Sequence, residues 1–131
     1  MQEANRSGDS PRQADRDLTH AKNAVDDADF EWACFAAEQA AEKAVKAVYE
    51  HLRGEGWGHT VSKLLRELPA ELGIPGELGE AALRLDKLYI ATRYPNGFES
   101  GAPGDFYTRR EAEEAIGDAA AIIEFCRRAV S

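Results

Sequence analysis

The apolar residues of this chain recur at helical spacing in successive runs, and nowhere do they alternate at strand spacing. Ala14, Leu18, Ala21, Val25 and Ala28 mark one narrow stripe. Ahead of it, Ser10-Pro11-Arg12-Gln13 offers an N-cap, a proline at the first helical position and a Gln three residues past the cap. The pattern predicts a first helix from about Pro11 to about Ala28, preceded by a polar, disordered tail over residues 1–9, with a single domain over 10–131. A short break at Asp29 turns the chain back. The second helix, from about Phe30 to about Arg53, carries two apolar faces. Phe30, Cys34, Ala37, Ala41, Val48 and Leu52 form one, and Ala33, Ala36, Ala40, Ala44 and Ala47 form a neighbouring face of methyl groups. An all-Ala side lets another helix axis approach closely, which places this helix at the centre of a bundle.

Gly54, Gly56 and Gly58 end that helix around Trp57. A short third helix turns Val61, Leu64, Leu65 and Leu68 inward. After Pro69, Gly73, Pro75, Gly76 and Gly79, a fourth helix buries Leu78, Ala81, Ala82, Leu85, Leu88 and Tyr89 and ends near Arg93. Pro95 disfavours helix at Tyr94, and the glycines and prolines from Asn96 to Gly104 predict a long loop, of the kind that often carries function. Thr108 and Glu111 form a capping box for the last helix, with Ala112, Ala115, Ile116, Ala119, Ile123, Cys126 and Val130 inward. The predicted fold is all-α: an antiparallel up-and-down bundle of four long helices and one short one.

Composition narrows the function classes. With 131 residues, 44% hydrophobic and 31% charged, the chain fits one globular domain without a membrane span. Its beginning has no apolar block before a small-residue cleavage site, so the cytoplasm is the expected location. A net charge of −8 argues against a general nucleic-acid binder and suits docking onto a basic partner. Cys34 and Cys126 lie in apolar helical patterns, apart from any metal-type spacing, and read as buried free thiols.

Three places carry candidate chemistry. Gln39, Glu42, Lys43 and Lys46 fall on the remaining arc of the second helix. They suit either a polar groove, its amines holding a phosphate and Gln39 reading a base or sugar edge, or a solvated face with a Glu42–Lys46 pair. Arg93-Tyr94, where a helix enters the long loop, suits a phosphate clamp with a stacking ring, or an ordinary helix end with a favourable cation. His59 is placed to act as a base or ligand, or to cap the third helix. No metal-type spacing, Gly-rich phosphate loop or nucleophile motif is present, so no metal, cofactor or catalytic residue is expected from these patterns.

Four blocks, in order and spacing, resemble the HEPN (higher eukaryotes and prokaryotes nucleotide-binding) domain. They are Trp32 to Ala47, Gly58-His59-Thr60 with Leu64-Leu65, Leu85 to Tyr89, and Thr92-Arg93-Tyr94-Pro95. The resemblance implies a compact helical bundle, commonly a homodimer, often made beside a minimal nucleotidyltransferase with which it forms a complex, in some cases as a toxin–antitoxin module. It also implies that Gln39, Glu42, Lys43, Lys46, His59, Arg93 and Tyr94 occupy characteristic positions, and with the second and fourth helices as antiparallel neighbours several of them are expected to meet in one nucleotide- or partner-binding cleft. Some relatives are metal-independent RNases that use a closely spaced Arg and His in a late helix. Here Arg93, Arg109 and Arg110 have no such His after them, and Arg53 with His59 sits after the second helix instead. The expected function is therefore non-catalytic binding of a nucleotide, a nucleotidyltransferase, or both, with an RNase, for which RNA would be the ligand, or a ligand-free scaffold as alternatives.

Overall fold

A computed structural model describes residues 2–52, 54, 58, 60–93 and 107–130, with side chains from Arg12 onward and, in the fourth helix, as far as Leu88. Within these residues the chain is helical: α1 (Gln2–Asp26), α2 (Phe30–His51), α3 (Val61–Arg66), a single 3-10 turn (Ala70–Leu72), α4 (Gly76–Arg93) and α5 (Arg109–Ala129). Four helices are long and one is short, as the periodicity predicts. The backbone of α1 is already helical at Gln2, ahead of the start that Ser10-Pro11 signals. This extension runs against the preference of Pro11, which lacks an N–H and whose ring disfavours helical geometry at Ser10.

The turn between α1 and α2 is tight. Ala28 takes the left-handed conformation at φ 60°, its N–H donating to Val25 O at 2.9 Å, while Asp29 N–H donates to Ala24 O at 2.8 Å. Asp29 then caps α2, its carboxylate accepting from Trp32 N–H at 3.3 Å.

α2 lies at the centre, in contact with every other helix. Its methyl face lies against α1: Ala36 shares a surface cleft with Gln13 and Asp17, and Ala44 and Ala47 share a small hollow with Ala14 of α1 and Ile123 of α5. Ala33, Ala37, Ala40 and Ala41 are wholly buried. Cys34, Val45 and Val48 are wholly buried too, in one cluster with Leu64, Leu65, Leu85 and Ile122, and each of the larger side chains contributes about 1.5–3 kcal/mol by leaving water. Leu52, predicted inward, is 45% exposed, because the helix ends at His51 and Leu52 serves as its C-cap.

α3 is too short to stand alone and is held by its neighbours. Tyr49 of α2 donates its hydroxyl to Leu64 O at 2.6 Å, and Asp86 of α4 accepts from the α3 N-terminus. α5 begins with the predicted capping box: Glu111 N–H donates to Thr108 Oγ1 at 3.1 Å and Thr108 N–H donates back to Glu111 Oε1 at 3.0 Å. The Arg84 guanidinium grips the Asp118 carboxylate with two bonds of 2.9 Å, tying α4 to α5.

Candidate functional site

The outer arc of α2 orders its residues in a line. At 100° per residue, Trp32, Phe35, Gln39, Lys43 and Lys46 fall within one sector, aromatic near the start of the helix and polar further on. Trp32 is 50% exposed, and its ring centroid stands 5.2 Å from that of Phe35, the planes inclined at 32°.

The four α2 residues of the predicted stripe are brought together, and each polar head already has a partner. The Lys43 ammonium lies 2.6 Å from Asp17 Oδ2 of α1. Asp17 Oδ1 in turn accepts from the Gln13 side-chain amide at 3.0 Å. Lys46 pairs with Glu42 at 2.8 Å, one turn back on its own helix, and Gln39 donates its amide to Glu38 Oε1 at 2.8 Å. Any anion approaching these amines competes with a carboxylate in direct contact.

Glu42, expected on a solvated arc, is buried at 5% exposure, and Glu38 beside it is wholly buried. The wheel puts both at the border between the polar arc and the face that carries Val45 and Cys34, so packing of neighbouring helices over that border decides their burial. Sequence reasoning also missed Asp17 and Gln13, which enter the site only through the register of α1 against α2. With Trp32, Phe35 and Gln39 they line a cleft of about 280 Å³ on the α1/α2 surface.

His59, Tyr94 and Arg53 lie outside the described residues. Arg93 closes α4 by its backbone, and its side chain lies outside them as well. The two cysteines are buried and free. Burial, with some repulsion from Glu111, pushes the Cys34 thiol up to about 12, and burial alone does the same for Cys126. Among the described residues no group of three or more His, Cys, Asp or Glu could hold a metal ion. None of the helices so described is long and apolar enough to cross a membrane.

Comparison with known proteins bears on this arrangement as a whole. Among solved structures, TT1696 of Thermus thermophilus is 43% identical, with a TM-score of 0.92 over 95% of this chain and 98% of that one. ST0689, an archaeal HEPN homologue, is 36% identical with a TM-score of 0.82 over 95% and 98%. An HEPN domain protein from Thermotoga maritima is 41% identical with a TM-score of 0.75 over 91% and 94%. No curated protein matches. The HEPN domain family matches residues 8–129, and with nearly the whole chain inside that match, the protein belongs to the HEPN domain family.

Proposed function

We propose that this protein is a non-catalytic HEPN subunit whose outer α2 face is a binding surface for a minimal nucleotidyltransferase partner, a nucleotide, or both, in a cytoplasmic module of the toxin–antitoxin kind. One observation carries the reading: an exposed Trp32–Phe35 pair stands in line with Gln39, Lys43 and Lys46, whose heads are held in fixed positions by Glu38, Asp17 and Glu42. A half-exposed indole beside polar groups that are already satisfied has the composition of a protein-docking patch, an aromatic anchor within a polar rim. Arg93, His59 and Tyr94 complete the proposed cleft, and homodimerisation goes with the family.

The test is a thermal-shift series on the full chain with ATP, GTP, NAD and a short RNA, with and without magnesium, beside capture of a purified minimal nucleotidyltransferase. Binding of the native state raises the melting temperature. The reading expects a shift or capture that Lys46→Ala or Arg93→Ala abolishes, and loss of neither in both variants overturns it. Metal-free cleavage of the RNA, lost in His59→Ala, would instead identify a ribonuclease.

A further inference from the structure

We propose that the α1/α2 cleft is an arginine-recognition site, in which a guanidinium group from a partner protein lies on the Trp32 indole. This rests on the reading of the α2 face as a docking surface and names the chemistry of what docks there. The cleft, of about 280 Å³, has an aromatic wall and a polar floor. Trp32 supplies the wall, half exposed and backed by Phe35 at 5.2 Å. On the floor, which His20 also lines, the Lys43 charge is paired and the Gln13 and Gln39 amides each have one N–H in use. Lys43 is bound to Asp17 at 2.6 Å, the Gln13 amide nitrogen donates to Asp17 at 3.0 Å, and the Gln39 amide nitrogen donates to Glu38 at 2.8 Å. The amide oxygens of Gln13 and Gln39, one N–H on each of those amides, the His20 imidazole and the aromatic faces are the features left for a ligand.

Acceptors and a π face select a planar, donor-rich cation. The guanidinium group carries five N–H donors in a plane and no acceptor, stacks on indole and is weakly hydrated. A phosphate, all acceptor, finds the one amine of the cleft already neutralised. The chain as a whole carries a net charge of −8, which favours encounter with a basic partner. The same chemistry occurs at the start of α2, where the Arg109 guanidinium lies 5.2 Å over the Phe30 ring.

The experiment titrates the full chain with the peptides acetyl-Gly-Arg-Gly-amide and acetyl-Gly-Lys-Gly-amide and with ATP, following the Trp32 indole N–H and the Gln13 and Gln39 side-chain amides by NMR. The arginine peptide is expected to move these signals together and to bind more tightly than the lysine peptide. Trp32→Ala, at a half-exposed position that leaves the core intact, should weaken it about tenfold. Asp17→Asn, which strips Lys43 of its counter-charge, should weaken the arginine peptide and strengthen ATP. If ATP moves the signals in the unaltered chain more than the arginine peptide does, or if neither moves them, the proposal fails. If partner capture is lost in Lys46→Ala but unchanged in Trp32→Ala, the arginine site is overturned while the docking surface stands. Loss in neither variant overturns both.

Discussion

Asp86 governs the start of α3 from 25 residues away: its Oδ1 accepts a hydrogen bond from the Val61 N–H at 2.7 Å. Its other oxygen accepts from the Ser62 N–H at 3.3 Å and from the Ser62 hydroxyl. Thr60, in the N-cap position, makes no capping bond of its own, so a buried carboxylate on another helix does the work of a cap. Asp86→Ala leaves buried N–H groups without acceptors and should destabilise the protein by about 2 kcal/mol, read from urea unfolding. Asp86→Asn, with one acceptor oxygen remaining, should lose less.

The turn at Ala28 makes the opposite prediction. A non-glycine residue held at φ 60° is strained by its Cβ. Ala28→Gly removes that strain and gives back part of the gain as extra freedom of the unfolded chain. The net expectation is a stabilisation of up to about 1 kcal/mol, seen as a higher urea midpoint with unchanged slope.

Alkaline pH should unfold the protein through its buried thiols and one phenol. Cys34 and Cys126 are raised to about 12 from the usual 9.0, and Tyr107 to about 12 from 10.0, chiefly by burial and then by Cys34, Glu31 and Glu111. In each case the folded state keeps its proton where the unfolded chain has lost it. The stability they contribute is therefore fully present below pH 9 and is lost as pH climbs from 9 to 12. Urea midpoints measured across that window should fall steadily. A thiol reagent at pH 8 should react far more slowly with the native protein than with the protein in guanidinium.

The methyl seam between α1 and α2 is closed to water at its centre. Ala40 is wholly buried, and Ala40→Leu should force the two helices apart, at a cost of about 1–3 kcal/mol in the same unfolding assay. Ala40→Gly should also destabilise, by about 1 kcal/mol, through helix propensity alone. Loss in both directions would mark a filled seam. A neutral Ala40→Leu would show one with slack.

Features local in sequence were legible before the structure was known. The Thr108–Glu111 capping box, the α2 start at Asp29-Phe30 and the inward cysteines are each written within a few residues, and each is found as read. The all-α bundle follows from the same periodicity. What escaped depends on how separate helices meet. The Asp86 cap joins residues of different helices, and no local motif announces it. Asp17 reaches Lys43 across 26 positions, through a register that no wheel contains. Glu42 looked solvated because a wheel shows angle and not the neighbours that cover a border. Of the proposed cleft, Gln39, Glu42, Lys43 and Lys46 are seen together, while His59, Tyr94 and the Arg93 side chain lie outside the described residues.

The tight turn between α1 and α2 also bears on how the bundle assembles. Two long helices joined by so few residues meet at almost no loop-closure entropy, and their alanines can slide into contact without fitting large side chains together. The same α2 meets α5 only after the chain between them has been gathered in. The hairpin of α1 and α2 should therefore form first in refolding and serve as the template on which α4 and α5 condense.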